Sequence, residues 1–219
     1  MFRLIMLVCG GIRVEGREHV PRKGGVLITP NHISDADPPT IVYAVPRGSY
    51  IMAKEELFQM RVVGTLIRWL RGFPVKRYSA DRAALKKAED LLKLGKAVII
   101  FPEGQIAEDA KLQPMLPGAL LVAQRAKVPI VPAIIINSDD LMPYTKLVPR
   151  RMTRGPIIVR FGPVVTVEEL AGGKKGSAGL KAAAYQLREC MRALQDGKPY
   201  PEARGLMDEE AAGAPALEL

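Results

Sequence analysis

Ala97-Val98-Ile99-Ile100-Phe101-Pro102-Glu103-Gly104 is a nearly unbroken apolar run that ends in a proline, an acid and a glycine. An amphipathic surface strand alternates apolar and polar residues. A continuous run of this length fits a strand covered on both faces, as in parallel sheets. Similar runs bounded by Gly and Pro recur at 26–29, 50–53, 73–75, 128–136 and 157–161. Helical patterns lie between them. Pro38-Pro39 suits a first helical turn. Ser79 is placed to cap a helix whose Ala83, Leu85, Ala88, Leu91 and Leu92 share one face and which stops at Gly95. Pro117 opens another helix, Thr166 and Glu169 have capping-box spacing, and Ser177 can cap a last helix reaching about Leu194. Strands alternating with helices give the expected fold class: α/β, with a largely parallel central sheet flanked by helices.

The 219 residues suffice for one domain with a full core, expected over 1–196. From Gly197 the chain turns rich in Pro, Gly and Ala, and beyond Arg204 it holds acids but neither Lys nor Arg. Residues 197–219 are therefore expected to form a disordered acidic tail. Charged residues at 25% and hydrophobic ones at 48% are ordinary, but the net charge of +9 is not. It favours an anionic partner such as an acidic membrane surface or a phosphorylated substrate. Nucleic acid is not expected, because zinc-finger spacing, an aromatic RNA-binding signature and a basic coiled coil are all absent and aromatics reach only 5%. Two cysteines, Cys9 and Cys190, are too few for a disulfide framework or a metal cluster, which fits a reducing cytoplasm. The apolar run at 4–12 falls well short of the roughly 20 residues needed to span a bilayer and reads as a surface or membrane-interface element.

The chemistry concentrates in Asn31-His32-Ile33-Ser34-Asp35-Ala36-Asp37-Pro38-Pro39, directly after the 26–29 run. Five helical steps turn the chain by about 500°, so His32 and Asp37 meet only if the backbone bends between them. Ser34, Asp35 and the prolines favour such a bend. A carboxylate on one imidazole nitrogen fixes the tautomer and leaves the other nitrogen as a base. Taken alone, the segment is better read as Asp37 capping the Pro38 helix and His32 lying in a polar loop, and Asp35 is an alternative cap or orienting carboxylate. Glu103 and Gly104 sit at the carboxyl end of a strand, where open α/β sheets gather ligands, and the glycine allows close approach to the backbone. Lys76 and Arg77 close the 73–75 run at the same kind of strand end, and arginine offers a planar fork for phosphate oxygens.

Residues 61–87 hold eight Lys/Arg and one acid. Within 57–71, helical spacing sets Arg61, Arg68 and Arg71 to one side with Gly64 and Thr65. Phe58, Val62, Val63, Leu66, Ile67, Trp69 and Leu70 take the other. This pattern suits an interfacial membrane helix, and equally a core helix with solvated arginines. A Gly-x-Ser-x-Gly elbow and a Walker loop are both absent, which removes the usual α/β-hydrolase and P-loop readings. His19, in Glu18-His19-Val20-Pro21, reads as a loop residue.

Taken together, these segments resemble the glycerolipid acyltransferase family that includes lysophosphatidic acid acyltransferase. Its Asn-His-x4-Asp block is matched by Asn31-His32 to Asp37, and its Gly-x-x-x-x-Arg block by Gly72 to Arg77. Phe101-Pro102-Glu103-Gly104 and Val128-Pro129-Ile130-Val131-Pro132 match two further blocks, and Ala53-Lys54-Glu55-Glu56-Leu57 is similar to a Lys-containing stretch. The resemblance covers about residues 14–140. It implies that His32 removes the proton of an acceptor hydroxyl while Asp37 orients the imidazole. The hydroxyl oxygen then attacks the thioester of acyl-CoA or acyl carrier protein directly, with no cofactor and no metal. Arg77, with Lys76 and Lys54 near it, would hold the phosphate of a lysolipid, most simply 1-acyl-glycerol-3-phosphate. Glu103 and Gly104 would position the glycerol part. Expected partners are membrane lipids, the lysophospholipid acceptor and the acyl carrier protein, at the cytoplasmic face of the membrane. The match departs at Gln105-Ile106-Ala107, where the family often has Thr-Arg-Ser, and at Leu116, where it often has lysine. Another lysolipid acceptor, or a catalytically silent lipid-binding protein, are the alternatives.

Overall fold

The computed structural model describes residues 11–76, 81–142 and 151–200. Arg77, Ser79, the run at 4–10 and the tail from residue 201 lie outside the described residues. Seven strands form one sheet: β1 (Ile12–Glu15), β2 (Val26–Pro30), β3 (Ser49–Lys54), β4 (Gly72–Val75), β5 (Ala97–Ile99), β6 (Ile130–Ile136) and β7 (Ile157–Phe161). Their order across the sheet is β1-β7-β6-β2-β5-β3-β4. Every neighbouring pair is parallel except β6 and β7. The helices are α1 (Asp37–Ala44), α2 (Arg61–Trp69), α3 (Arg82–Lys93), α4 (Pro117–Ala126), α5 (Ser138–Leu141), α6 (Val167–Ala171) and α7 (Gly176–Asp196). The fold is α/β with a mostly parallel central sheet.

Successive side chains of a strand point to opposite faces, and the central strands β2, β5 and β6 are almost wholly apolar and buried, so both faces need a cover. Leu27, Val98, Ile130 and Ile134 pack under Ala88, Leu92, Leu120, Ala123, Leu187 and Met191, supplied by α3, α4 and α7. On the other face, Ile28, Ile99, Val131 and Ile135 meet Ile41 and Ala44 of α1 and Leu141 of α5. Each fully buried Leu or Ile contributes about 1.5–3 kcal/mol, which makes these two interfaces the main source of stability. β1 escapes the run-based reading because it is a short, partly covered edge strand with the alternating sequence Ile-Arg-Val-Glu.

Helix ends follow local chemistry, with two differences from expectation. α1 begins with Pro38 and Pro39 in its first turn, α4 opens on Pro117, and α6 carries the complete Thr166–Glu169 capping box. α3 is capped by Asp81, whose carboxylate accepts the Ala84 N–H at 3.0 Å. Gly95 follows it in a left-handed conformation, φ 74°. Ser177 lies inside the first turn of α7, whose N-cap is Lys175. Residues 197–200 continue the folded unit: Lys198 N–H donates to the Ala193 carbonyl at 2.8 Å, and the Tyr200 hydroxyl reaches the Pro163 carbonyl at 3.3 Å.

The element that departs most from its reading is α2. At about 100° per residue, Val62, Leu66 and Trp69 fall on one stripe, and Gly64 and Ile67 on a roughly opposite one. Gly64 and Ile67 are the buried pair. Gly64 packs so close to the Phe58 carbonyl oxygen that a Cβ there would lie 2.5 Å from it. Gly64 therefore belongs to the inward side, not with the arginines, while Val62 and Trp69 are 82% and 76% exposed.

Candidate active site

β2 and β5 are neighbours with Ile28 paired to Ile99. His32 and Glu103 each follow four residues beyond their member of that pair, so the two loops leave the sheet side by side at its carboxyl edge. Asn31 marks the exit. Its side-chain amide donates to the Ile135 carbonyl at 3.0 Å, and its carbonyl oxygen accepts the Ile135 N–H at 2.6 Å. A side chain thus continues the β2–β6 ladder for one more step and frees the backbone to turn.

Within that turn His32 and Asp37 meet. His32 Nδ1 lies 3.0 Å from Asp37 Oδ2. The same oxygen accepts the N–H groups of Ile33 at 2.7 Å and Ser34 at 2.8 Å. Asp37 therefore reaches back into the preceding turn instead of capping α1 forward, and it is completely buried. Asp35, the alternative, makes none of these contacts. A carboxylate facing Nδ1 selects the tautomer with the proton on Nδ1 and the lone pair on Nε2. Ser34 supports the loop: its hydroxyl donates to the Met142 carbonyl at 2.7 Å and accepts the Ala36 N–H at 3.0 Å.

The β5 loop holds the imidazole from the other side. The Phe101 ring stacks on His32 with centroids 4.2 Å apart. Glu103 Oε1 accepts the His32 backbone N–H at 3.0 Å, and its Oε2 accepts the Gln113 N–H at 3.1 Å. Glu103 is buried, and that burial pushes its carboxyl up to about 7, against the two backbone donors that favour the anion; Asp37 raises it further and Arg188 lowers it. The carboxyl is thus poised to exchange a proton near neutrality. Gly104 adopts φ 74°, closing a turn in which its N–H donates to the Phe101 carbonyl at 3.2 Å. A Cβ here would lie 2.7 Å from Leu116 Cδ1.

Other expected site residues line the same edge. Lys54 ends β3 in register with Val75 of β4, and Lys76 follows directly. The Lys76 N–H donates to Asp81 Oδ2 at 2.9 Å. Arg77 lies outside the described residues. The positions departing from the family pattern have a visible role here. Ala107 N–H donates to the His32 carbonyl at 2.7 Å, Ile106 and Ala107 are buried, and Leu116 is partly exposed over Gly104. The supporting contacts of Asn31, of Phe101 and of the Ser34 hydroxyl to Met142 are not legible in the sequence, because Ile135 and Met142 lie far along the chain from their partners and so does His32 from Phe101. Among the described residues no three His, Cys, Asp or Glu side chains converge as a metal site.

Fold and site together define a class: an α/β domain with an imidazole–carboxylate pair at the carboxyl edge of its sheet and a buried carboxyl beside it. The model of the Acyltransferase family matches residues 11–136, more than half of the chain, and the chain belongs to that family. Among its relatives, the 1-acyl-sn-glycerol-3-phosphate acyltransferase of Bacillus subtilis is 35% identical over 133 residues, covering 60% of this chain and 65% of that protein. The human 1-acyl-sn-glycerol-3-phosphate acyltransferase alpha is 33% identical over 166 residues, covering 73% of this chain and 57% of its own length. The match thus spans less than two thirds of either curated relative. The crystal structure of the 1-acyl-sn-glycerophosphate acyltransferase from Thermotoga maritima superposes with a TM-score of 0.68 at 23% identity, covering 89% of this chain and 75% of that one. That likeness bears on the fold.

Proposed function

We propose that this chain transfers a fatty acyl group from a thioester to the free hydroxyl of a lysolipid, with 1-acyl-glycerol-3-phosphate as the acceptor and phosphatidic acid as the product. The observation carrying this reading is the 3.0 Å contact between His32 Nδ1 and Asp37 Oδ2, which directs a basic Nε2 away from the loop. Nε2 takes the hydroxyl proton as the oxygen attacks the thioester carbonyl carbon. The tetrahedral adduct collapses, the C–S bond breaks, and the departing thiolate recovers the proton from the imidazolium. One ester and one free thiol result, without a covalent acyl-enzyme. Stacking on Phe101 and the Glu103–His32 backbone bond hold the ring in place. Glu103 and Gly104 position the glycerol part, while Lys54, Lys76 and Arg77 attract the phosphate. The donor is acyl-CoA or acyl carrier protein.

The same reading puts the reaction at the cytoplasmic face of a membrane, with the chain bound peripherally. No helix among the described residues is long and apolar enough to cross a bilayer. Val62, Leu66 and Trp69 instead form an outward apolar stripe beside Arg61 and Arg68, the arrangement of an interfacial helix. A second acceptor class, an uncharged or sugar-bearing lysolipid, is favoured by Ile106 and Leu116, which bring no charge to the Glu103 turn.

The test is thiol release and ester formation from one acyl thioester, measured across a panel of lysolipids with the full chain on mixed vesicles. Ester formed fastest on 1-acyl-glycerol-3-phosphate is the expected result. Faster turnover of a neutral lysolipid would transfer the conclusion to the second acceptor class. No thiol release with any acceptor would contradict acyl transfer.

A further inference from the structure

Beside the site, the loop that carries Glu103 continues to 109–113 and runs against α7, leaving a cavity of about 400 Å³. Asp109, Lys111, Gln113, Arg188 and Arg192 are among its lining residues, so three cations face one carboxylate. Two of those cations already have carboxylate neighbours. Arg192 Nη1 contacts both oxygens of Glu189, at 2.8 and 3.0 Å, and Lys111 Nζ lies 3.8 Å from Asp109. Arg188 differs. A guanidinium carries five N–H donors, and among the described residues the only acceptor bonded to this one is the Leu112 carbonyl at 3.2 Å. Its Nε is buried and has no partner there. Arg188 also feels Glu103 electrostatically, but no hydrogen bond joins the two, and the Glu103 oxygens instead accept the His32 and Gln113 N–H groups. An arginine with surplus donors, at the wall of a basic cavity, is short of an anion. Phosphate suits it best, because its oxygens match the planar fork.

We propose that the groove between residues 109–113 and α7 is a second binding site, for a phosphate group, with Arg188 as its principal ligand and Lys111 and Arg192 as supporting cations. Gln113 joins it to the first site, since the N–H of this cavity residue is the one held by Glu103 Oε2. A phosphate in the groove therefore sits behind the carboxyl that fixes the His32 backbone. Two sources share this chemistry: the phosphorylated nucleotide portion of a thioester carrier, and the headgroup phosphate of a lysolipid or its neighbours.

Equilibrium titration with two probes distinguishes the sources and needs no turnover: adenosine 3′,5′-bisphosphate for the carrier, and glycerol 3-phosphate for the headgroup. Wild type is expected to bind at least one of them, and the better ligand identifies the source. Arg188→Gln should weaken that probe by about 10- to 100-fold, the usual worth of a charge-assisted hydrogen bond, and Arg188→Lys should recover only part of the loss. Thermal unfolding run in parallel establishes that the variants are folded. Should Arg188→Gln fail to fold, the exposed Lys111→Glu reverses a charge on the rim without disturbing the Leu112 contact, and it too should weaken the probe. His32→Ala should bind the probe as wild type does, so failure of the acyl-transfer reading leaves this measurement intact. Absence of binding by both probes to wild type would overturn the proposal, as would wild-type affinity in both Arg188→Gln and Lys111→Glu. Equal weakening in His32→Ala would also overturn it, because the groove would then not be a separate site.

Discussion

Asp37 does its work through one oxygen, which meets the His32 ring nitrogen and two backbone N–H groups of the bend. An Asp37→Asn side chain can keep the N–H contacts of the bend through its carbonyl oxygen, but it loses the negative charge that orients and stabilises the imidazolium. Acyl transfer by this variant should fall by about 10²–10⁴-fold, with a thermal midpoint close to wild type. A matching collapse of stability and activity would reduce Asp37 to a structural residue. Glu103 makes a pH-dependent contribution whose sign is fixed by the direction of its shift. Burial raises its carboxyl from 4.5 to about 7, so the folded state holds the proton more tightly than the unfolded chain. This contribution is then fully present below pH 4.5 and is lost as the pH rises through about 7, by roughly 3 kcal/mol, while the lowered carboxyl of Asp140 contributes with the opposite sign. Chemical denaturation at several pH values should show the stability of wild type falling relative to Glu103→Gln as the pH rises from 4.5 to 7. Parallel slopes would contradict the assignment.

Among the elements, α2 has two apolar stripes with different consequences. Its inward residues Gly64 and Ile67 are buried, whereas Val62 and Trp69 lie almost wholly in solvent. Ile67→Ala should cost about 2–4 kcal/mol of folding stability. A Val62→Ser/Trp69→Ser double variant should stay within about 1 kcal/mol of wild type, since surface changes usually shift stability by less than 0.5 kcal/mol each, yet lose sedimentation with anionic vesicles. Undiminished vesicle binding by that variant would remove α2 from the membrane contact. Sequence periodicity shows such a helix to be amphipathic but cannot divide its apolar residues between core and surface. That division depends on Phe58 and the neighbouring strands, which close only one side. The same limit explains α3 and α7. Ser79 and Ser177 are good caps in isolation, but Asp81 and Lys175 hold the cap positions because packing on the sheet fixes where each helix begins.

At the scale of the whole molecule, the continuous apolar runs carry enough information for the α/β class and for the interior strands, because burial on both faces leaves a signature that does not depend on neighbours. The edge strand β1 is invisible to that criterion: it is exposed on one side and alternates. The loops that meet at the candidate site are legible through the Asn-His-x4-Asp and Phe-Pro-Glu-Gly blocks taken together, since the His32–Asp37 spacing and the Glu103 strand end alone read as well as ordinary turns. Their supports are not, since Asn31 to Ile135, Glu103 to His32 and Arg188 to Leu112 join positions 104, 71 and 76 residues apart. The sheet order, with β2 between β5 and β6, brings the first two pairs together, and the packing of α7 against the sheet brings the third. The resulting geometry makes His32 the only imidazole at this edge among the described residues, because His19 is engaged with the Phe161 carbonyl at 3.0 Å. The most direct measurement is therefore the rate of thiol release from an acyl thioester by His32→Ala, at saturating lysolipid and with the variant's fold verified by its unfolding curve. A drop of at least 10²-fold relative to wild type is predicted, in line with the loss of a positioned general base; a rate equal to wild type would show that another group removes the proton.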